Sequence, residues 1–524
     1  MELALLLFAF VNGRCALVTT PAQQEEAAAV SGDTDLVASR LIVVFRNQSI
    51  PGDFQEKVAA TGFSVDMQFD AMGIAVLQLP AGVRSGSVAQ QRLAVRKFSA
   101  LPEVAYVFHD RVLRGTSLHV RPMRAAISES PETADWYYTS TPQSWAVKQV
   151  GGYGKGVAGA AAVGPWSLTM GKGVTIAIVD SGVAANHPDI APNLGYSVSL
   201  VDQTALPSPC DDGSPADQDG HGTWVASLAA GAIGPGTGMV VGVAPQATLM
   251  NIKVLERIPA AGSGSTKALC EKGAPEGLMS WVLAGIATAS AQKADIISLS
   301  VGGLVDSYSG EGAGVIAAFN RAAYLATSGG SLLIAAAGND AESLDNNRYL
   351  EMPAQAEDVL PVVASTNPGC EQNQAADAGC TAGPIALAYY SNYGVTLQAV
   401  AAPGGSDPGG SANSDGVTGY VRGACSTGLA GTIDGPPSKA GHSFGCFNLG
   451  HESYVEAVGT SASAPLVAGV AALLKGAAPQ LSPQQLANLI RTTTITTSTP
   501  SGFTLNMVSA KNALVSAMKQ GLVP

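Results

Sequence analysis

The apolar positions follow two different rhythms, and the change falls near residue 145. Before it, β-type runs at 41–45, 63–69, 74–79 and 104–108 are interleaved with helix-spaced stretches at 54–60 and 88–98. The order β-α-β-β-α-β predicts a small α+β unit of ferredoxin-like type. Residues 111–132 carry arginines and no regular pattern, so they read as an exposed connection open to cleavage.

After residue 145 the apolar runs no longer alternate. Those at 174–179, 248–254, 296–300, 332–336 and 359–364 are short and nearly continuous, as expected of strands buried on both faces of a parallel sheet. Small-residue helices are expected at 223–230, 277–292, 315–328, 462–475 and 483–491. This is the pattern of a doubly wound, mainly parallel α/β domain, whose working site lies beyond the carboxyl ends of the strands. Residues 367–454 break the rhythm with Gly, Ser and Pro and read as a loop-dominated, cysteine-rich insertion.

Composition narrows the functional classes. Only 13% of the 524 residues are charged and 61 are glycine, which suits a tightly packed globular chain rather than a disordered one. A net charge of −12 repels phosphate backbones and argues against nucleic acid as a partner. No uninterrupted apolar run reaches the roughly 18 residues of a membrane span. Residues 3–11 have the length of an export-signal core, although only Glu2 precedes them and no A-x-A site follows; a buried strand is the alternative. Once Cys15 leaves with that segment, six cysteines remain: Cys210, Cys270, Cys370, Cys380, Cys425 and Cys446. An even set suits disulfides in an exported protein, and local closure favours Cys370–Cys380 and Cys425–Cys446.

Four segments bear chemistry. In Val179-Asp180-Ser181-Gly182 an apolar strand ends in a carboxylate, which alone could be a turn residue. In Asp219-Gly220-His221-Gly222-Thr223 glycines bring a histidine to a helix start; a lone histidine is more often structural. Ala335-Ala336-Ala337-Gly338-Asn339 leads a small-residue strand into an amide that could donate to an oxyanion or simply make a turn. Gly459-Thr460-Ser461-Ala462-Ser463-Ala464-Pro465 places a serine at the head of a long helix, where a plain N-cap is the bland alternative. Together, and in this order, they supply a nucleophile, a general base, an orienting acid and an oxyanion donor.

In these motifs the chain resembles the subtilases, the subtilisin-like and kexin-like serine peptidases, over about residues 145–517. The resemblance implies a subtilisin-like fold, a catalytic triad of Asp180, His221 and Ser461, and Asn339 as oxyanion donor. It makes 1–20 a signal segment, 21–39 a linker, 40–114 an inhibitory propeptide, 115–144 a processing linker and 145–524 the peptidase domain. A secreted, monomeric, self-processing zymogen follows, with protein or peptide substrates and its own propeptide as partners. The histidine motif departs from the usual pattern at Trp224, outside the triad.

The resemblance also implies that Ser300, Val301 and Gly302 form a substrate-pairing edge, with Ala336, Ala337 and Gly338 as the opposite wall of the pocket for the residue preceding the cleaved bond, P1. Glu351 falls at the floor of that pocket, where a carboxylate would favour Arg or Lys; a solvated loop Glu is the alternative. Arg114 and Arg124 lie in the expected cleavage stretch. No cofactor is required. Asp189 matches a structural-calcium position, but the companion loop 234–238 offers only carbonyls toward the six to eight oxygens calcium takes. His442 and His451 read as surface residues. Three rivals are weaker. An inactive scaffold would have lost one of the four motifs, a sedolisin would lack the His221 and Asn339 motifs, and an esterase would carry a G-x-S-x-G elbow.

Overall fold

The computed structural model describes residues 8–11, 14–17, 36–79, 88–115, 119–120, 144–154, 164–234, 240–366, 385–405, 420–426, 433–434, 447–449, 452–498 and 504–523. Within the segment read as an export leader, Phe8–Val11 and Arg14–Leu17 pair as antiparallel strands.

The N-terminal unit has the expected element order: β1 (Leu36–Phe45), α1 (Phe54–Ala59), β2 (Ser64–Phe69), β3 (Ile74–Gln78), α2 (Val88–Ser99) and β4 (Val104–Gly115). The strands form an antiparallel sheet in the order β4-β1-β3-β2. Strand side chains alternate between the two faces, and here both faces are apolar. Leu41, Val43 and Phe45 join Ala75, Leu77, Phe54 and Phe98 in the unit's own core. Ile42, Val44, Ile74, Val76 and Phe108 point the other way, into a core shared with the main domain. Each such buried side chain contributes about 1.5–3 kcal/mol, so the second face holds the two units together. β4 continues well past the expected end at 108, because residues 112–115 find partners on both sides in the main domain. No local pattern could announce those partners.

The main domain comprises, in chain order, β5 (Thr175–Asp180), β6 (Leu194–Ser199), α3 (His221–Ala230), β7 (Thr248–Lys253), β8 (Ala274–Leu278), α4 (Met279–Ala291), β9 (Ile296–Leu299), β10 (Val301–Asp306), α5 (Gly310–Ser328), β11 (Leu332–Ala336), β12 (Tyr349–Met352), β13 (Val359–Thr366), β14 (Val400–Pro403) and α6 (Thr460–Ala477). Seven strands of the central sheet run β14-β13-β11-β9-β5-β7-β6, with every adjacent pair parallel; beyond β14 the sheet continues with Thr504–Met507 and then, antiparallel to it, Ile495–Ser498. From β5 the chain goes out to edge strand β6, returns to β7, then crosses to β9 on the other side of β5. The carboxyl end of β5 is therefore the topological switch point, where open α/β sheets place their sites. α3 and α6 cover one face and α4 and α5 the other. Among the described residues α6 alone is long and apolar enough to cross a membrane, and it is the buried central helix of this core.

Polar contacts fix how the units meet. Asp110 accepts the Ser280 backbone N–H at 3.1 Å and the Ser280 hydroxyl at 2.5 Å, satisfying donors left open at the start of α4. Arg40, fully buried, donates to Asp110 at 3.1 Å and Asp66 at 2.7 Å. Arg321 of α5 donates to the Phe45 carbonyl at 2.6 Å and the Met72 carbonyl at 2.9 Å.

Candidate active site

Asp180 ends β5 and His221 opens α3, so a sheet edge and a helix start converge at the switch point. The turn into α3 places Gly220 at φ +102°, a left-handed conformation that glycine adopts without strain. His221 Nδ1 lies 2.6 Å from Asp180 Oδ1, and both residues are buried. Asp180 Oδ1 also accepts the Ser181 N–H at 2.7 Å, which fixes the carboxylate's rotation.

A second carboxylate, Asp217, holds this junction. It accepts the Ser181 hydroxyl at 3.0 Å, the Gly220 N–H at 2.8 Å and the Thr223 N–H at 2.9 Å, while the Ser181 hydroxyl accepts the Gly222 N–H at 2.8 Å. Asp219 is paired with Arg257 Nη1 at 2.5 Å. Burial, then the neighbouring Asp219 charge, pushes Asp217 up to about 6. For His221, burial opposes the charged form, but Asp180, and behind it Asp219 and Asp217, outweigh that and raise its pKa above the usual value. Sequence reasoning took in Asp219 as part of the histidine motif but missed Asp217 and Arg257; the Asp-x-Asp spacing just before Gly220-His221 was the available signal for Asp217. Trp224 is fully buried, stacks edge-on to the His221 ring at 5.9 Å and donates to the Val421 carbonyl at 3.1 Å, a packing role.

Ser461 is the second residue of α6. Its Oγ donates to the Ser300 carbonyl at 3.5 Å, and the Ser300 hydroxyl donates to the Ser461 carbonyl at 3.1 Å. Asn339 follows β11 on the same side of the sheet. Its Oδ1 accepts both the N–H (3.0 Å) and the hydroxyl (2.9 Å) of Thr460, so the amide's carbonyl end is anchored beside Ser461.

A cleft of about 430 Å³ adjoins these groups, lined among others by Gly302, Gly338, Asn339 and Glu351. Val301 and Gly302 pair with β4, so this edge is engaged by an extended strand. Ala336 and Ala337 are buried within the sheet end that leads to Gly338. Glu351 is set on β12, opposite Leu304 of β10. It is buried rather than solvated, and Oε2 has no hydrogen-bond partner among the described residues. A Cβ built on Gly338 would stand 2.9 Å from that oxygen. Burial, then the charge of Asp340, raises its pKa well above the ordinary range. Arg114 Nε lies 3.1 Å from Glu276, which accounts for at least one of its partners; Arg124 lies outside the described residues.

Asp189 is buried, with Oδ2 accepting the Val240 N–H at 3.1 Å. Among the described residues no group of three His, Cys, Asp or Glu side chains could hold a metal. Of the companion loop 234–238, Gly234 alone is among the described residues. His442, His451 and the cysteine pairings expected for Cys370, Cys380 and Cys446 also lie outside them. Cys425 is disulfide-bonded, and Cys210 bonds Cys270 across 60 residues.

The subtilase family profile matches residues 171–516, about two thirds of the chain. An extracellular protease of Xanthomonas campestris is 26% identical over 429 residues, covering 77% of this chain and 58% of that protein. An intracellular serine protease of Paenibacillus polymyxa is 32% identical over 220 residues, covering 41% of this chain and 57% of that one. The chain thus spans less than two thirds of either relative. The crystal structure of fervidolysin from Fervidobacterium pennivorans, a keratinolytic enzyme related to subtilisin, superposes with a TM-score of 0.60 at 21% identity, covering 94% of this chain and 62% of that one. At that identity the likeness speaks for the fold, whereas the profile spans every motif from Asp180 to Ser461. The chain belongs to the subtilase family.

Proposed function

We propose that the protein is a serine endopeptidase in which Ser461 is the nucleophile, His221 the general base, Asp180 its orienting partner and Asn339 an oxyanion donor. The 2.6 Å pair of His221 and Asp180 at the switch point carries this reading. A carboxylate on Nδ1 selects the tautomer that leaves Nε2 to take the Ser461 proton and stabilises the imidazolium that forms. Anchored through Oδ1 by Thr460, Asn339 directs Nδ2 toward the developing oxyanion. The Ser461 N–H, at the head of α6, is suited to be the second donor. The chemistry needs no catalytic cofactor.

The N-terminal unit acts as an inhibitory propeptide, because β4 occupies the strand position that an extended substrate needs. Glu351 gives the adjoining pocket a buried carboxyl group with no countercharge among the described residues, and in its ionised form it favours Arg or Lys at P1. The Cys210–Cys270 bond supports export to an oxidising compartment, as does the likeness to the Xanthomonas extracellular protease. Expression of wild type and Ser461→Ala side by side, with intact-mass analysis, tests the reading. Only the wild type is expected to shorten; a wild type that folds and stays full-length would overturn self-processing.

A further inference from the structure

A buried cation stands behind the histidine. Arg257, in the short strand Glu256–Ile258, is fully enclosed, as are Asp219 and His221. Each nitrogen of its guanidinium has a partner. Nη1 pairs with Asp219 Oδ2 at 2.5 Å, Nε donates to the Cys270 carbonyl at 2.5 Å and Nη2 to the Glu271 carbonyl at 3.0 Å. The other oxygen of Asp219, Oδ1, accepts the His221 N–H at 3.3 Å. One carboxylate is therefore shared between the turn that carries His221 and a planar, rigid cationic fork.

The Cys210–Cys270 bond closes a ring around that fork. On the Cys270 side the carbonyl takes Nε. On the Cys210 side the Ser208 hydroxyl accepts the Cys210 N–H at 3.1 Å and donates to the Arg257 carbonyl at 2.5 Å. Arg257 also lies opposite Pro275 of β8. The Pro275 ring and the His221 imidazole border the same space above Gly115, 2.9 and 3.4 Å from a Cβ built there. A shift of Arg257 thus reaches the imidazole from two directions. Taking a guanidinium out of water is expensive, and a well-packed apolar side chain would serve stability as well; the charge is explained by what it holds. We infer, resting on the peptidase reading above, that Arg257 and Asp219 are a positioning pair for the general base, with the Cys210–Cys270 bond as its anchor. The pair acts through the turn before α3, which sets where the His221 ring stands between Asp180 and Ser461.

The test uses Asp219→Asn, which keeps the volume and an acceptor for the His221 N–H but loses the charge that Arg257 grips. Arg257→Lys is the milder companion, a cation without the fork. Both are expressed as the full chain beside wild type, with kcat and KM measured per serine titrated by a fluorophosphonate. A misplaced catalytic group costs up to about 10²-fold, so kcat in Asp219→Asn should fall roughly ten- to hundred-fold with KM little changed. Arg257→Lys should lie between it and wild type. Asp219, with Asp180 and Asp217, is one of the charges that raise the His221 pKa against burial. The acid limb of kcat/KM should accordingly move to lower pH in Asp219→Asn, whereas a purely structural loss would leave it in place. Replacing Cys210 and Cys270 by alanine should lower kcat by at least about two-fold with Asp219 present and have no further effect in Asp219→Asn, as coupled members of one network do. A kcat in Asp219→Asn within about two-fold of wild type, or an unmoved acid limb, overturns the positioning role and leaves the peptidase reading standing. The same loss in both backgrounds, or none in either, overturns the part given to the disulfide. A folded wild type whose Ser461 takes no label overturns the reading beneath and the inference with it.

Discussion

The sharpest consequence of the pocket concerns Glu351. The substitution Glu351→Gln keeps its volume and its place on β12 while removing the charge. A hydrogen-bonded charge pair contributes about 1.5–3 kcal/mol net, which corresponds to a preference of roughly 10- to 150-fold for a cationic over a neutral P1 side chain. Because burial and Asp340 hold the carboxyl well above its ordinary pKa, this preference depends on pH. The neutral acid offers no countercharge, so below its folded pKa the cation's advantage shrinks by about ten-fold per pH unit. The ratio of kcat/KM for paired peptides with Lys or Leu at P1 should therefore rise with pH in the processed wild type. In Glu351→Gln it should be low and flat. Ratios that agree within about two-fold at high pH, where a 1.4 kcal/mol loss already means ten-fold, would refute the reasoning.

Other consequences are as direct. Asn339→Ala removes the proposed oxyanion donor and should lower kcat by about 10²- to 10³-fold with KM little changed; steady-state kinetics on a peptide substrate decides this. In the proposed mechanism His221 must be neutral to accept the Ser461 proton; burial opposes its charged form, but Asp180, Asp219 and Asp217 outweigh that and raise its pKa. The acid limb of kcat/KM should accordingly lie above the ordinary histidine value of about 6.5, with activity lost as pH falls through it. A limb below that value would contradict the assignment. Replacing Cys210 and Cys270 by alanine opens a loop of 60 residues that contains His221. Chain entropy puts the loss at about 4 kcal/mol, to be read as a lowered unfolding midpoint in denaturant.

Much of this architecture was legible because burial on both faces leaves a plain signature. The runs leading to Asp180 and Ala336 are apolar without alternation, and they became parallel strands on either side of β9 near the switch point. The N-terminal unit was legible for a related reason: its strands are apolar on both faces, one for its own core and one for α4 and α5. What stayed hidden depends on distant partners. Arg111 and Arg114 make 111–115 look like a polar connection, yet Leu278, Gly277 and Val301 turn it into a strand. Asp217 looks like an ordinary loop carboxylate until the fold brings Ser181 beneath it. The Cys210–Cys270 bond likewise spans a separation that spacing cannot rank.

The central claim is that Ser461 is a nucleophile activated by His221. Labelling the processed enzyme with a fluorophosphonate, followed by peptide mapping, tests it most directly. One label per chain is expected, on Ser461, with activity lost in step. Labelling should fall by several orders of magnitude in His221→Ala, the scale expected when a triad member is removed. A label on another serine, or full activity after stoichiometric modification of Ser461, would contradict it.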